Sequence, residues 1–239
     1  MSATPSSFAG FGARATAWFA GLERDNSREY FERNRIIYDQ HIKAPLLLLL
    51  EELKLRRGPR LTIRLFRQHR DTRFSKDKAP YKITSYGVLA DPSSEDGAYV
   101  ELSSKGLYAG RGNAKMARDQ LARFRAAVLS EESGPALGNA LAEVRKSGLT
   151  VGGATLEKGP RGFGAHPRAI LLRHDSLVAG AGLSARPVLR SRGVIDWVDA
   201  TWTAAAPLAH WLAKHVGPSD IPPEVRWGGR RATDPTVSR

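Results

Sequence analysis

The stretch Ala98-Tyr-Val-Glu-Leu-Ser-Ser-Lys-Gly-Leu-Tyr-Ala-Gly110 decides the architecture. Ala98 to Ser103 and Leu107 to Gly110 read as two strands joined around Lys105-Gly106, a hairpin with a glycine at its turn. Working back from it, Asp91 to Gly97 is a loop of turn-formers and acids, and residues 83–90 are a further strand. Upstream again, Leu61, Ile63 and Leu65 alternate with Thr62, Arg64 and Phe66, the period of a half-buried strand. Strands that succeed one another with no helix between them imply an antiparallel sheet.

Helical patterns lie on both sides. Ala15, Trp18, Phe19 and Leu22 mark a first helix, and Asn26 with Glu29 has capping-box spacing for a second that runs to about Gln40. Pro45 marks a kink or the first turn of a third helix, Leu46 to Leu55. Beyond the hairpin, Met116, Gln120, Phe124 and Ala127 share a helical side, and Leu137, Leu141 and Val144 mark another helix. Thr155 to Glu157 reads as a short extended piece, Pro167 to Leu172 as a helical turn, and Leu177 to Leu183 as a last strand. Residues 192–215 read as one long helix that Pro207 should kink. The reading is an α+β protein: N-terminal helices, a central mostly antiparallel sheet and C-terminal helices packed on it. It predicts a single domain over 1–216 and a flexible, basic, Pro/Gly-containing tail over 217–239.

Of 239 residues, 41% are hydrophobic, enough for a real core. Lys plus Arg is 37 against 24 Asp plus Glu, a formal charge of +13 that favours anionic partners. Cysteine is absent, which excludes disulfides, thiolate metal sites and cysteine nucleophiles and fits a reducing compartment. The longest apolar run, Leu46 to Leu50, is far short of the ~20 residues a spanning helix needs, so no membrane association is expected. Arg14 interrupts the N-terminus as a secretory signal, and a cytoplasmic location is expected.

The densest chemistry lies between Arg67 and Lys82. Arg67, Arg70 and Arg73 offer planar forks to phosphate or carboxylate, and Lys76, Lys78 and Lys82 add point charges. Ser75 and Tyr81 are orienting groups, Asp77 sets the cations, and Pro80 stiffens the chain. This is the predicted cradle for an anionic small molecule. A second reading of the same residues is an internal network. Asp71 and Asp77 would pair with Arg73 and with Lys78 or Lys82, while Phe74 and Tyr81 pin the loop to the core.

Other sites are weaker. Gly110-Arg-Gly-Asn-Ala-Lys115 could bring backbone amides to a phosphate at a helix start, but it lacks a third glycine and a Gly-Lys-Ser/Thr ending. Lys158-Gly-Pro-Arg161-Gly-Phe, with His166 and Arg168, is a basic hinged loop that could form the other wall of a pocket, though an ordinary surface turn is the favoured reading. The six histidines show no metal-ligand spacing, so no metal and no cofactor is expected. Nucleic acid is an alternative partner, carried by the net charge and by Arg118, Arg123 and Arg125 on one helix. An enzyme acting on an anionic substrate is a third reading, with His69, Asp77 or Glu101 as acid–base residues. No nucleophile elbow surrounds Ser75, Ser85 or Ser103.

Several of these segments occur together in a known order: Phe8-Ala-Gly-Phe11, Asn26-Ser-Arg-Glu-Tyr-Phe31, Arg73-Phe-Ser-Lys-Asp-Lys-Ala-Pro-Tyr-Lys82, then His166-Pro-Arg with Leu171-Leu-Arg173. Leu121-Ala-Arg-Phe-Arg125 and Trp211-Leu212 fit the same pattern. Over residues 8–215 the chain resembles the bacterial and fungal family called domain of unknown function 2461, a conserved hypothetical protein family. Tyr30 stands where that family more often shows Trp. The resemblance implies an intracellular α+β domain and brings no reaction.

Overall fold

The computed structural model describes residues 7–73, 75–91, 97–184, 187–222 and 226. Phe74, the centre of the Asp91–Gly97 loop and most of the expected tail lie outside them. Helices α1 (Ala13–Arg24), α2 (Arg28–Arg33), α3 (Arg35–Tyr38) and α4 (Ala44–Arg57) precede strands β1 (Thr62–Leu65), β2 (Thr84–Ala90), β3 (Gly97–Ser103) and β4 (Gly106–Asn113). Then come α5 (Arg118–Leu129), α6 (Ser133–Lys146), β5 (Thr150–Gly152), β6 (Leu177–Ser184), α7 (Gly193–Ala204) and α8 (Ala206–His215). The six strands form one antiparallel sheet in the order β1-β2-β3-β4-β6-β5, and the class is α+β.

The chain divides into two compact units. One comprises residues up to Leu89 with Tyr99–Ala109 and Gly182–Ala200; the other comprises Ala90–Ala98, Gly110–Ala181 and the chain from Thr201. In the first, Trp18 of α1 meets Phe31 of α2 at 5.8 Å and Tyr38 of α3 at 5.3 Å. Gly21 is required there, because a Cβ would sit 2.0 Å from the Tyr30 hydroxyl, which donates to the Trp18 carbonyl at 2.8 Å. In the second unit, Phe124, Val128, Leu137, Leu141, Leu208 and Trp211 pack in one cluster. The Trp211 indole N–H donates to the Ser133 carbonyl at 2.9 Å, so a buried ring keeps its polar atom satisfied.

Four expectations are corrected. Asn26 is not a cap: Ser27 takes that position, its hydroxyl accepting from the Tyr30 amide, and the second helix ends at Arg33. A new helical run starts at Arg35 and widens into a π-turn over Asp39–Lys43, where the Ala44 amide reaches back to the Asp39 carbonyl. Pro45 explains the widening. It has no amide for the carbonyl four residues back, and its ring would clash with it. The short extended piece lies at Thr150–Gly152, with Val151 opposite Ala179 of β6, and Thr155 keeps only an isolated bridge to His174. Residues 192–215 form two helices broken at Ala205, which places Pro207 in the first turn of α8, where a missing amide costs nothing.

Pleating gives the sheet of the first unit two unlike faces. Ser85 and Leu89 of β2 and Val100 and Leu102 of β3 are buried. A Cβ on Gly87 would come 2.5 Å from Leu50 Cδ1, so this face packs on α4. Thr84, Tyr86 and Val88 point the other way, as do Tyr99 and Glu101, and all five are half-buried.

Candidate functional site

The Arg67–Lys82 segment is an excursion between the first two strands whose limbs pair antiparallel. The Lys82 amide donates to the Gln68 carbonyl at 2.9 Å, the Arg70 amide to the Pro80 carbonyl at 2.8 Å, and His69 bridges Tyr81. Gln68 is 2% exposed and ties the base: its amide N–H2 donates to the Lys82 and Thr84 carbonyls, and its oxygen accepts from the Ser85 hydroxyl. Asn26 ties the other limb, accepting from the Tyr81 amide at 3.0 Å and donating to its carbonyl at 3.1 Å. The Tyr81 ring stacks on Phe31 at 4.3 Å. Tyr81 is therefore a buried anchor of the loop, and the structure does not place it among the loop's cations as an orienting group.

At the tip the charges meet in pairs. Arg73 forks onto Asp71, with Nε at 3.0 Å and Nη2 at 2.8 Å, and this guanidinium holds the Asp71 carboxyl down at about 2. Asp77 accepts from the Ala79 amide and from Arg70, which together hold its carboxyl below the usual range. Lys78 Nζ donates to the Thr72 carbonyl at 3.1 Å, and Lys82 Nζ to the Arg67 carbonyl at 2.7 Å. Ser75 closes a turn through its amide, which donates to the Thr72 carbonyl. Arg67 and Lys76 are exposed. Sequence reasoning left open whether the two aspartates pair with the cations. They do, with Arg73 and Arg70, while Lys78 and Lys82 take carbonyls instead. His69 lies 4.9 Å from Tyr81 and 5.7 Å from Phe31, and burial, then neighbouring Arg67, lowers its pKa. At neutral pH it is an uncharged member of an aromatic cluster.

Beside this loop is a group that local spacing did not flag. Phe66, just beyond β1, stacks on Tyr86 of β2 at 4.3 Å. The Arg64 guanidinium lies 4.5 Å from the Phe66 ring centre and Lys82 Nζ 4.9 Å from that of Tyr86, so the two rings stand between two cations. Farther along, Tyr99 stacks on Tyr108 at 5.8 Å, and their hydroxyls are hydrogen-bonded. The Thr84 hydroxyl bonds to the Glu101 carboxylate, while burial raises the Glu101 pKa above its ordinary value. That bond fixes the geometry of the face. Thr84 and Tyr86 share one side of β2, and Glu101 and Tyr99 share one side of β3. The four therefore line the side of the sheet away from α4. The signal in the sequence was this parity across two strands.

Several residues of the remaining candidates make structural contacts. Gly110 and Gly112 lie inside β4, not in a turn, and helix α5 starts only at Arg118. Gly112 has φ 137°, and a Cβ there would come 2.4 Å from the Leu177 carbonyl, so it admits a neighbouring strand. Arg168 is turned onto the end of α5, donating to the Val128 carbonyl at 2.7 Å and pairing with Glu131 at 2.8 Å. The Arg123 guanidinium binds the Val216 and Pro218 carbonyls and Asp220, and Asp119 accepts from Ser219 and from the Asp220 amide. The first residues of the expected tail are thus bonded to α5. Arg125 donates to the Leu172 carbonyl at 3.4 Å. Among the described residues no cluster of His, Asp and Glu could hold a metal ion, and no helix is long and apolar enough to cross a membrane.

The fold and loop define an antiparallel α+β protein with a braced, strongly basic excursion between its first two strands. Residues 14–211 match the family model of the conserved hypothetical protein DUF2461, and the chain belongs to that family. Neither the curated proteins nor the solved structures contain a match to the chain.

Proposed function

We propose that the protein binds a small molecule bearing a phosphate or carboxylate group at the Arg67–Lys82 segment. The observation that carries this reading is a charge surplus on a fixed frame. Six cations stand against two carboxylates in a segment whose backbone is braced by Gln68, Asn26 and the stacked Tyr81 ring. Such a frame holds an anion without first having to be ordered. The Arg73–Asp71 pair leaves 72% of the Arg73 side chain exposed. An exposed pair of this kind contributes little to stability, so an incoming phosphate can take the place of the aspartate. A cytoplasmic location belongs to the same reading, supported by the absence of cysteine.

Titration calorimetry with pyrophosphate and citrate tests it. The Arg73→Gln, Lys76→Gln double variant should lose binding while melting within about 2 °C of the parent, since both side chains are exposed. Undiminished binding by that variant would remove the site from this segment. Nucleic-acid binding keeps its support in the net charge of +13. Two of the three arginines that carried it on α5 are occupied by carbonyls. A steep fall of affinity with salt would favour it over a small-anion site.

A further inference from the structure

We infer that the outer edge of β1 is a docking site for an extended acidic segment of a partner protein, which adds to the sheet as a further strand. The main chain carries the argument. The Phe66 amide, just beyond β1, donates to the Tyr86 carbonyl of β2. Along a strand, successive residues turn their amide and carbonyl to opposite sides, so Thr62 and Arg64 share the direction of Phe66. Ile63 and Leu65 turn theirs away from β2. No strand lies beyond β1 in the strand order, so among the described residues these two amides and two carbonyls have no ladder partner. A segment laid alongside would complete the ladder, and main-chain hydrogen bonds of this kind are how an added strand gains affinity.

Side chains decide which segment fits. A Cβ on Gly87 would come 3.2 Å from Leu65 Cδ1 and 2.5 Å from Leu50 Cδ1, so Leu65 lies on the α4 side of the sheet. Ile63 shares that side by the pleat, and Thr62 and Arg64 take the other, where both are exposed. From Leu53 to Arg70 the sequence holds seven Lys and Arg and no carboxylate. Arg56, Arg57 and Arg70 pair with Asp196, Asp199 and Asp77. Arg60, at the entry to β1, is exposed and takes part in no hydrogen bond or ion pair among the described residues. Arg64 keeps its place over the Phe66 ring, and only its charge is used. Positive charge along the edge selects an acidic partner. Pleating orders that partner's residues, with carboxylates on the Thr62 and Arg64 side and aliphatic side chains on the α4 side.

The test titrates the full chain, at fixed salt, with an acetylated peptide of about seven residues that alternates glutamate and valine. This peptide should bind about tenfold or more tighter than its lysine–valine counterpart. N-methylation then reads the main-chain pairing. Only alternate amides of an added strand face β1. Methylating one set, the valine or the glutamate amides, should therefore abolish binding, and methylating the other should leave it. Which set matters tells antiparallel from parallel addition. Ile63→Pro removes an outward amide without touching the β1–β2 ladder and should weaken the peptide about tenfold, with circular dichroism showing that the fold is kept. Should that variant not fold, the methylated peptides decide alone. No binding of the glutamate peptide, or the same effect from both methylated sets, overturns the inference. Dimerisation of the chain that Ile63→Pro abolishes would give the edge to a second copy and overturn it as well.

Discussion

Asn26 shows how one side chain can fix a loop from a distance. Its amide satisfies both main-chain groups of Tyr81, 55 positions later in the chain. Asn26→Ala leaves that amide and carbonyl without partners in a half-buried site, and should cost about 2 kcal/mol in urea unfolding. A variant as stable as the parent would show that water replaces the amide. In the sequence Asn26 carried the spacing of a helix cap, and nothing local distinguishes a cap from a long-range clamp; Ser27, one residue on, took the cap. Glu101 offers a pH signature. Burial raises its folded pKa above the ordinary 4.5, so the native state holds the proton more tightly than the unfolded chain. Its contribution is complete below 4.5 and is lost as pH rises through the raised value. Glu101→Gln lacks this loss, so the variant's melting temperature should gain on the parent's as pH rises through that window. Parallel profiles would place Glu101 in a solvated setting.

The strands were legible where pleating repeats and obscure where pairing is remote. The Lys105-Gly106 turn and the alternation from Leu61 to Phe66 placed three strands closely. Three-residue β5 was misplaced because its position is decided by β6, with Thr150 opposite Gly180. Gly112 belongs with this failure: read as part of a turn before a helix, it is a strand residue whose missing side chain admits Leu177. Gly112→Ala sets a Cβ against backbone at a φ of 137° and should destabilise by about 2 kcal/mol or more, measured by thermal melting. A shift within error would mean that β6 moves aside freely. The helix break at Ala205 was half legible. Pro207 announced it, but a proline is tolerated just after a break, so the break itself lies upstream.

Across the whole molecule, arginine has two roles that composition cannot separate. Arg57, Arg123, Arg168 and Arg192 reach carbonyls as well as carboxylates, closing chain segments onto one another. In the basic loop Arg70 and Arg73 pair with aspartates of the same segment, and Arg67 and Lys76 are exposed. The net charge of +13 alone could not say which cations are structural. The excursion between the first two strands was visible as a segment, whereas the ring row beside it required knowing which strands are neighbours. The position of β1 at the end of the strand order gives its charges one more consequence. An outermost strand presents unpaired main-chain groups on which another copy could add itself. Here the chain there reads Arg60-Leu-Thr-Ile-Arg64-Leu-Phe-Arg67, so two such edges brought together would align like charges. Those arginines disfavour edge-to-edge pairing of two copies, and neutralising Arg64 would weaken that protection.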